Sequence, residues 1–207
     1  MSKYYIDQTY KFLFIMMLIA ISVVAVSIWI TSAVSMRFIM AEEAGRDDQL
    51  ESSWSFYKSE YIRQGRVVRP KNDYDTVSEG QAYAMLRALW MNDKETFDKV
   101  YRWTEANLSR LEKFDDNLLA WQYGMTDNGG PAVLDWTPAT DADLDYALAL
   151  FLAERKWPQG PEFDLPPYHV KARHVAGDLQ KHAVIRLPND ELVLLPWNRE
   201  TLNREEH

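Results

Sequence analysis

The sequence predicts an all-α protein of antiparallel helix pairs, with one apolar helix at the N-terminus and a small β-hairpin near the C-terminus. Three observations predict it. Beyond residue 50, apolar side chains recur at three- and four-residue spacing through long stretches, the period of one helix face. Residues 12–34 are mainly apolar and carry no charge. Only over 183–195 does the pattern shorten to two apolar runs flanking Pro188, Asn189 and Asp190, the composition of a tight hairpin.

After a short tail over 1–11, the apolar tract 12–34 (FLFIMMLIAISVVAVSIWITSAV) is bounded by Lys11 and Arg37 and holds no charge. At about 1.5 Å per residue it spans the roughly 30 Å hydrocarbon core of a bilayer. It exceeds the roughly 7–15 apolar residues of a cleaved signal peptide and has no polar face for a one-sided core. It is expected to be a transmembrane signal-anchor. Lys3 and Lys11 before it nearly balance Arg37 and Arg46 after it. The short N-terminus favours an inside tail, so the expected location is the cell membrane, single-pass, with the remainder periplasmic or extracellular.

Residues 35–50 read as a polar, acidic linker, and 51–207 as the folded domain. In that domain Trp54, Tyr57 and Tyr61 mark a helix over 50–64 that Gly65 stops, and 66–74 reads as a loop containing Pro70. A helix over 77–90 puts Ala82, Met85, Leu86 and Leu89 on one face, and another over 94–111 buries Phe97, Val100, Tyr101 and Leu108. Residues 112–138, with Gly124, Gly129, Gly130 and Pro131, form a long connection with a short regular piece over 118–123. Such long connections are often functional. The run 140–157 is apolar after Asp145, predicting a helix buried on most sides, and 168–182 is a weaker helix.

The chain of 207 residues carries a net charge of −8 and no cysteine. That balance argues against nucleic acid, whose phosphates need a basic face. It excludes disulfides and thiolate metal sites. Asp141, Asp143 and Asp145 have the spacing that opens a calcium loop, but Tyr146 stands where glycine is needed and Leu152 where glutamate is needed. His169, His174, His182 and His207 form no HExxH pair. No metal and no cofactor are implied.

Acids open two helices. Glu79 follows Thr76 by three residues, which fits a capping box; Asp141, Asp143 and Asp145 sit where a helix dipole favours acids. Both clusters also suit hydrolysis of a sugar–sugar bond, in which one carboxyl protonates the leaving oxygen. Gly80, expected to leave open space beside Glu79 for substrate, polar-tipped Gln81 and Tyr83, and Trp121 in a glycine-bearing loop fit that second role, since flat aromatic rings stack on sugars as well as pack in cores.

Ser78-Glu-Gly-Gln81 with Tyr83 and Met85, then Ala120-Trp121, then Ala139-Thr-Asp-Ala-Asp-Leu-Asp145 with Ala147, Leu150, Ala153 and Trp157, resembles glycoside hydrolase family 8, the bacterial endoglucanases and cellulases. The similarity runs from about Trp54 to Trp197. The resemblance implies an (α/α)6 toroid cutting β-1,4-glucan with inversion. It places the proton donor at Glu79, the residue holding the sugar at the cleavage point at Asp141, and substrate contacts at Trp121, Tyr83 and Gln81. Asp143 and Asp145 match the motif as structural residues bonded to nearby amides. Arg69 stands where the family usually carries an aspartate.

The chain is shorter than a whole toroid, so the expectation is an incomplete, truncated one, lacking the half that carries the general base and leaving apolar helix faces open. The leading expectation is therefore an endo-β-1,4-glucanase, its activity in question, acting on cellulose or a related exopolysaccharide at the membrane beside a polysaccharide synthesis or secretion complex. A glycan-binding or scaffolding remnant of such a complex is the alternative, and a purely structural membrane protein a third.

Overall fold

The computed structural model describes residues 16, 27–37, 40, 45 and 47–198. The chain divides into two units, Met1–Ser52 and Ser53–His207. In the first, residues 27–37 are helical and largely exposed. The tail over 1–11 and most of the expected transmembrane tract over 12–34 lie outside the described residues; among those described, no helix is long and apolar enough to cross a membrane.

Residues 47–61 are helical, and the part over 53–61, α1, opens the second unit. There follow β1 (Ile62–Arg63), β2 (Arg66–Val67), β3 (Thr76–Val77), α2 (Ser78–Trp90), α3 (Lys94–Leu108), α4 (Leu111–Phe114), β4 (Gln122–Met125), β5 (Pro131–Asp135), α5 (Thr140–Lys156), α6 (Tyr168–His182), β6 (Val184–Arg186) and β7 (Leu192–Leu194). The unit is helix-rich, but small antiparallel sheets interrupt the helices: β1 with β2, β4 between β3 and β5, and β6 with β7.

α2 and α5 pack side by side, with α3 against α2 and α6 against α5. Ala82, Ala84 and Ala88 on α2, and Ala142, Ala149 and Ala153 on α5, are fully buried. Such small side chains let helix axes approach closely. The space between α3, α5 and α6 is filled by aromatic rings. Phe97 meets Trp157 and Tyr168 edge-on at 5.2 and 5.5 Å, and Tyr101 meets Tyr146 and Tyr168 at 6.1 and 6.0 Å. Their hydroxyls are bonded as burial requires: Tyr101 donates to the Pro166 carbonyl at 3.0 Å, Tyr146 to Glu105 at 2.6 Å and Tyr168 to Asp98. One edge of α5 is not covered: Leu144, Leu148 and Phe151 stay exposed, so this helix is less enclosed than its composition suggests.

Three further departures from the sequence pattern have local causes. α1 ends at residue 61 because Gln64 and Gly65 adopt positive φ and fold 62–67 into a hairpin. Gly65 is required there: at φ +89° a Cβ would lie 2.1 Å from the Lys99 carbonyl oxygen. α3 stops at Leu108, where Ser109 turns extended. The long connection over 112–138 is mainly α4 and the hairpin β4–β5, which pairs with β3 to make the largest sheet.

Asp93 joins α1 to α3. It caps α3 by accepting from the Thr96 amide at 3.0 Å, and its other oxygen accepts from Trp54 Nε1 at 3.0 Å and Lys58 Nζ at 2.7 Å. Burial alone would raise its pKa, but these donors outweigh it and bring the carboxyl down to about 2. A depressed carboxylate stabilises the fold above its ordinary pKa and loses that contribution as pH falls through the folded value. Asp93→Ala should therefore cost about 1–2 kcal/mol at neutral pH, the cap loss and a solvent-screened ion pair together. Urea titrations from pH 7 to pH 2 should show the gap closing below roughly pH 4.

Candidate functional site

The β3–β4–β5 sheet places the two acidic helix starts. β3 runs straight into α2, and pairs Thr76 with Tyr123 and Val77 with Gln122. The Ser78 amide extends that pairing by donating to the Trp121 carbonyl at 2.9 Å. β5 pairs with β4 and leads into α5, while the Trp121 amide donates to the Thr137 carbonyl at 3.0 Å. The residues just before β4 thus lie between the N-termini of α2 and α5.

Glu79 is not a helix cap. The N-cap of α2 is Val77, without a side-chain bond, and Thr76 is buried with its hydroxyl donating to the Val67 carbonyl at 2.7 Å and accepting from Arg66 Nε at 2.8 Å. The Glu79 carboxylate instead accepts from Trp121 Nε1 at 3.1 Å and from the Ser78 hydroxyl at 3.3 Å, and the residue stays partly exposed. An indole N–H is a fixed donor, so it orients one carboxylate oxygen while the other faces a mobile hydroxyl.

Asp141 is exposed in the first turn of α5. Tyr83, 52% exposed on α2, reports what surrounds it: its phenol is held above the usual tyrosine range by desolvation, then by the charges of Asp141, Asp145 and Glu79. Asp145 is itself raised, by burial first and by Asp141 second. The fold therefore gathers Glu79, Tyr83, Asp141 and Asp145 at one place, with Trp121 half-buried beside Glu79. Among the described residues, no three acids or histidines group to hold a metal ion.

Two sequence expectations need correction. Gln81 is fully buried and faces the interior: its carbonyl oxygen accepts from the Val67 amide at 2.6 Å, and its NH2 donates to the Gly65 carbonyl at 3.1 Å and the Thr104 hydroxyl at 2.9 Å. It ties the β1–β2 turn to α2 and α3 and has no reach to a ligand. Gly80 does not open space beside Glu79 either, since a Cβ there would rest on Val67 Cγ1 at 3.5 Å.

Other contacts emerge only from the structure. Arg69 grips Asp75 through two bonds of 2.7 and 2.5 Å, which hold its guanidinium pKa above the usual value, with a smaller push from the Glu79 charge. Asp75 also accepts from Gln122 Nε2 at 2.6 Å, fixing the β2–β3 loop to β4. Asp145 lies close enough to Asp141 to feel its charge. Asp143 is fully buried, with Oδ1 accepting from the Leu119 amide at 2.9 Å, as its structural expectation holds. Burial pushes its pKa well above the carboxylate range, against the Leu119 bond and the charges of Arg110 and Lys171. The Trp121–Glu79 bond, 42 residues apart, leaves no local sequence signal.

The model of the glycosyl hydrolases family 8 matches residues 21–164. Endoglucanases from Pseudomonas fluorescens SBW25 and Escherichia coli K12 are each 34% identical, over 69% and 70% of this chain but 35% and 38% of their own lengths. The chain thus spans about a third of the length of the relatives it matches. Among solved structures, the endo-1,4-D-glucanase of Vibrio fischeri ES114 superposes with a TM-score of 0.63 at 34% identity, over 70% of this chain and 41% of that one. The endo-β-1,4-glucanase CMCax of Acetobacter xylinum gives 0.59 at 30%, over 73% and 44%.

Asp143 yields a stability prediction. A carboxyl with a raised folded pKa stabilises the fold fully below its ordinary value of 3.8 and loses that contribution as pH rises through the folded value. Asp143→Asn, neutral throughout, should remove this slope. Calorimetry should show the Tm of the variant gaining on that of the native chain between pH 4 and pH 7; a constant difference would show that Asp143 binds no extra proton on folding.

Proposed function

The chain belongs to glycosyl hydrolase family 8, and we propose that it serves as an endo-β-1,4-glucanase, hydrolysing glycosidic bonds of cellulose or a related exopolysaccharide. The observation that carries this proposal is the placement of Glu79, whose carboxylate is turned away from its own helix cap and held by the Trp121 indole beside a second acidic helix start.

In the proposed inverting reaction Glu79, protonated, donates its proton to the leaving glycosidic oxygen as the C1–O bond breaks. A water molecule adds to C1 from the opposite face and gives its proton to a general base, regenerating the free hydroxyl ends. No residue of this chain is assigned as that base. Asp141, exposed at the α5 start, hydrogen-bonds the sugar at the cleavage point, and the exposed Tyr83 and half-buried Trp121 offer ring faces to neighbouring sugars. The long, uncharged and mainly apolar run over 12–34 supports a single-pass anchor, with the domain outside the cytoplasm beside an exopolysaccharide assembly.

The same arrangement, with exposed Asp141 and Tyr83 and half-buried Trp121, also suits a glycan-binding or scaffolding role without turnover. Release of reducing ends from carboxymethylcellulose by the full chain separates the two. Hydrolysis should fall by about 10²–10⁴-fold in Glu79→Gln, the span expected for loss of a general acid. A folded chain that binds cello-oligosaccharides, keeps that binding in Glu79→Gln and loses it in Trp121→Ala, while releasing no reducing ends at any pH, would establish the binding role instead.

A further inference from the structure

Asp143 sits two residues after Asp141 in the first turn of α5, yet its side chain points into the protein and is fully buried. Oδ1 accepts the Leu119 amide, and Oδ2 has no hydrogen-bond partner. A half-satisfied buried carboxyl costs stability, and an apolar residue of similar volume would avoid that cost only by leaving the buried Leu119 amide without its acceptor. Core packing alone therefore gives no reason for an aspartate here.

Leu119 gives one. From it the chain runs through buried Ala120 to Trp121, whose carbonyl accepts the Ser78 amide and whose indole holds Glu79. The remaining backbone contacts of this segment, Ala120 to the Leu108 carbonyl at 2.8 Å and Trp121 to the Thr137 carbonyl at 3.0 Å, reach the end of α3 and the approach to α5. The Asp143 bond is the one that fixes the segment to the body of α5, on the same turn that carries Asp141. A displacement of Leu119 would move the Trp121 indole, and with it the Glu79 carboxylate, relative to Asp141.

We propose that Asp143 is a positioning residue: through Leu119 and Trp121 it sets the Glu79 carboxylate in register with Asp141, so that the two helix starts act as one site. This rests on the proposed role of Glu79 as the acid, but the contact it predicts exists whether or not the chain turns over substrate. Because Asp143 acts as a hydrogen-bond acceptor, Asn at this position should preserve the alignment and Ala should not.

The test uses the full chain, 15N-labelled, in detergent micelles, with the Trp121 indole signal identified by its loss in Trp121→Phe. In the native background Glu79→Gln should shift that signal, because the acceptor of the indole N–H has changed. In Asp143→Ala the same substitution should leave it unmoved, with far-UV dichroism unchanged, and in Asp143→Asn the shift should return. An equal shift in Asp143→Ala, or its loss in Asp143→Asn, would overturn the proposal. If Asp143→Ala does not fold, a through-hydrogen-bond coupling between the Leu119 15N and the Asp143 carboxyl carbon of the native chain decides, and its absence sinks the proposal. Where hydrolysis is measurable, Asp143→Ala should lower kcat by up to about 10²-fold with KM little changed, and Asp143→Asn should recover most of it. A chain with the indole coupling but no hydrolysis would refute the glucanase reading and leave the positioning role standing.

Discussion

The antiparallel pairing of β3 with β4 is the contact on which the arrangement of the acidic residues depends. Two residues of β3 are enough to register Thr76–Val77 against Gln122–Tyr123, and the Ser78 amide adds a third link to Trp121. Because β3 continues directly into α2, this short pairing fixes where that helix begins and which way Glu79 leaves it. Because β5 on the far side leads into α5, the same sheet brings Asp141 to the same end of the helix pair. Helices alone could slide along one another by a turn; a hydrogen-bonded register between their starts cannot slip without turning every side chain of the strand to its other face.

Behind that sheet the packing is polar at several points that are closed to water. Arg110 and Asp116 form a two-bond pair with both side chains about 3% exposed, and Lys171, equally buried, pairs with Glu105 at 2.8 Å. Glu105 also receives the Tyr146 hydroxyl, so α3, α5 and α6 share one network. Buried charges of this kind add little net stability over apolar packing, but removing one partner leaves the other uncompensated. The same packing of α3, α5 and α6 holds Asp143 beneath the acidic surface.

Glu79 shows how one sequence pattern can fit two structures. Thr76 and Glu79 have the spacing of a capping box, but Thr76 is paired in β3 and the helix begins one residue later with Val77 at its N-cap, so the box does not form. Its competitor is a tertiary bond from an indole 42 residues away. Gln81 shows the reverse. A polar side chain near an acid looks available for substrate, yet its neighbours are backbone groups of the β1–β2 turn that would otherwise be buried without partners.

The sequence by itself determined the helices: α2, α5 and α6 appear within a residue of the bounds their apolar periodicity predicts, because that spacing only suits a helix with one buried face. It also determined, through the motifs around Glu79 and Asp141, the family to which the chain belongs. The tertiary structure decided the rest. Residues 122–135 carry too little alternation to announce strands, and become a sheet because β3 is there to pair with them. Which acid faces solvent and which faces the interior was decided there too: Asp141, Asp143 and Asp145 differ in burial although their local sequence is nearly the same. Periodicity records a residue's side of its own helix, whereas hydrogen-bond partners and exposure are set by chain segments that meet only when the molecule has folded.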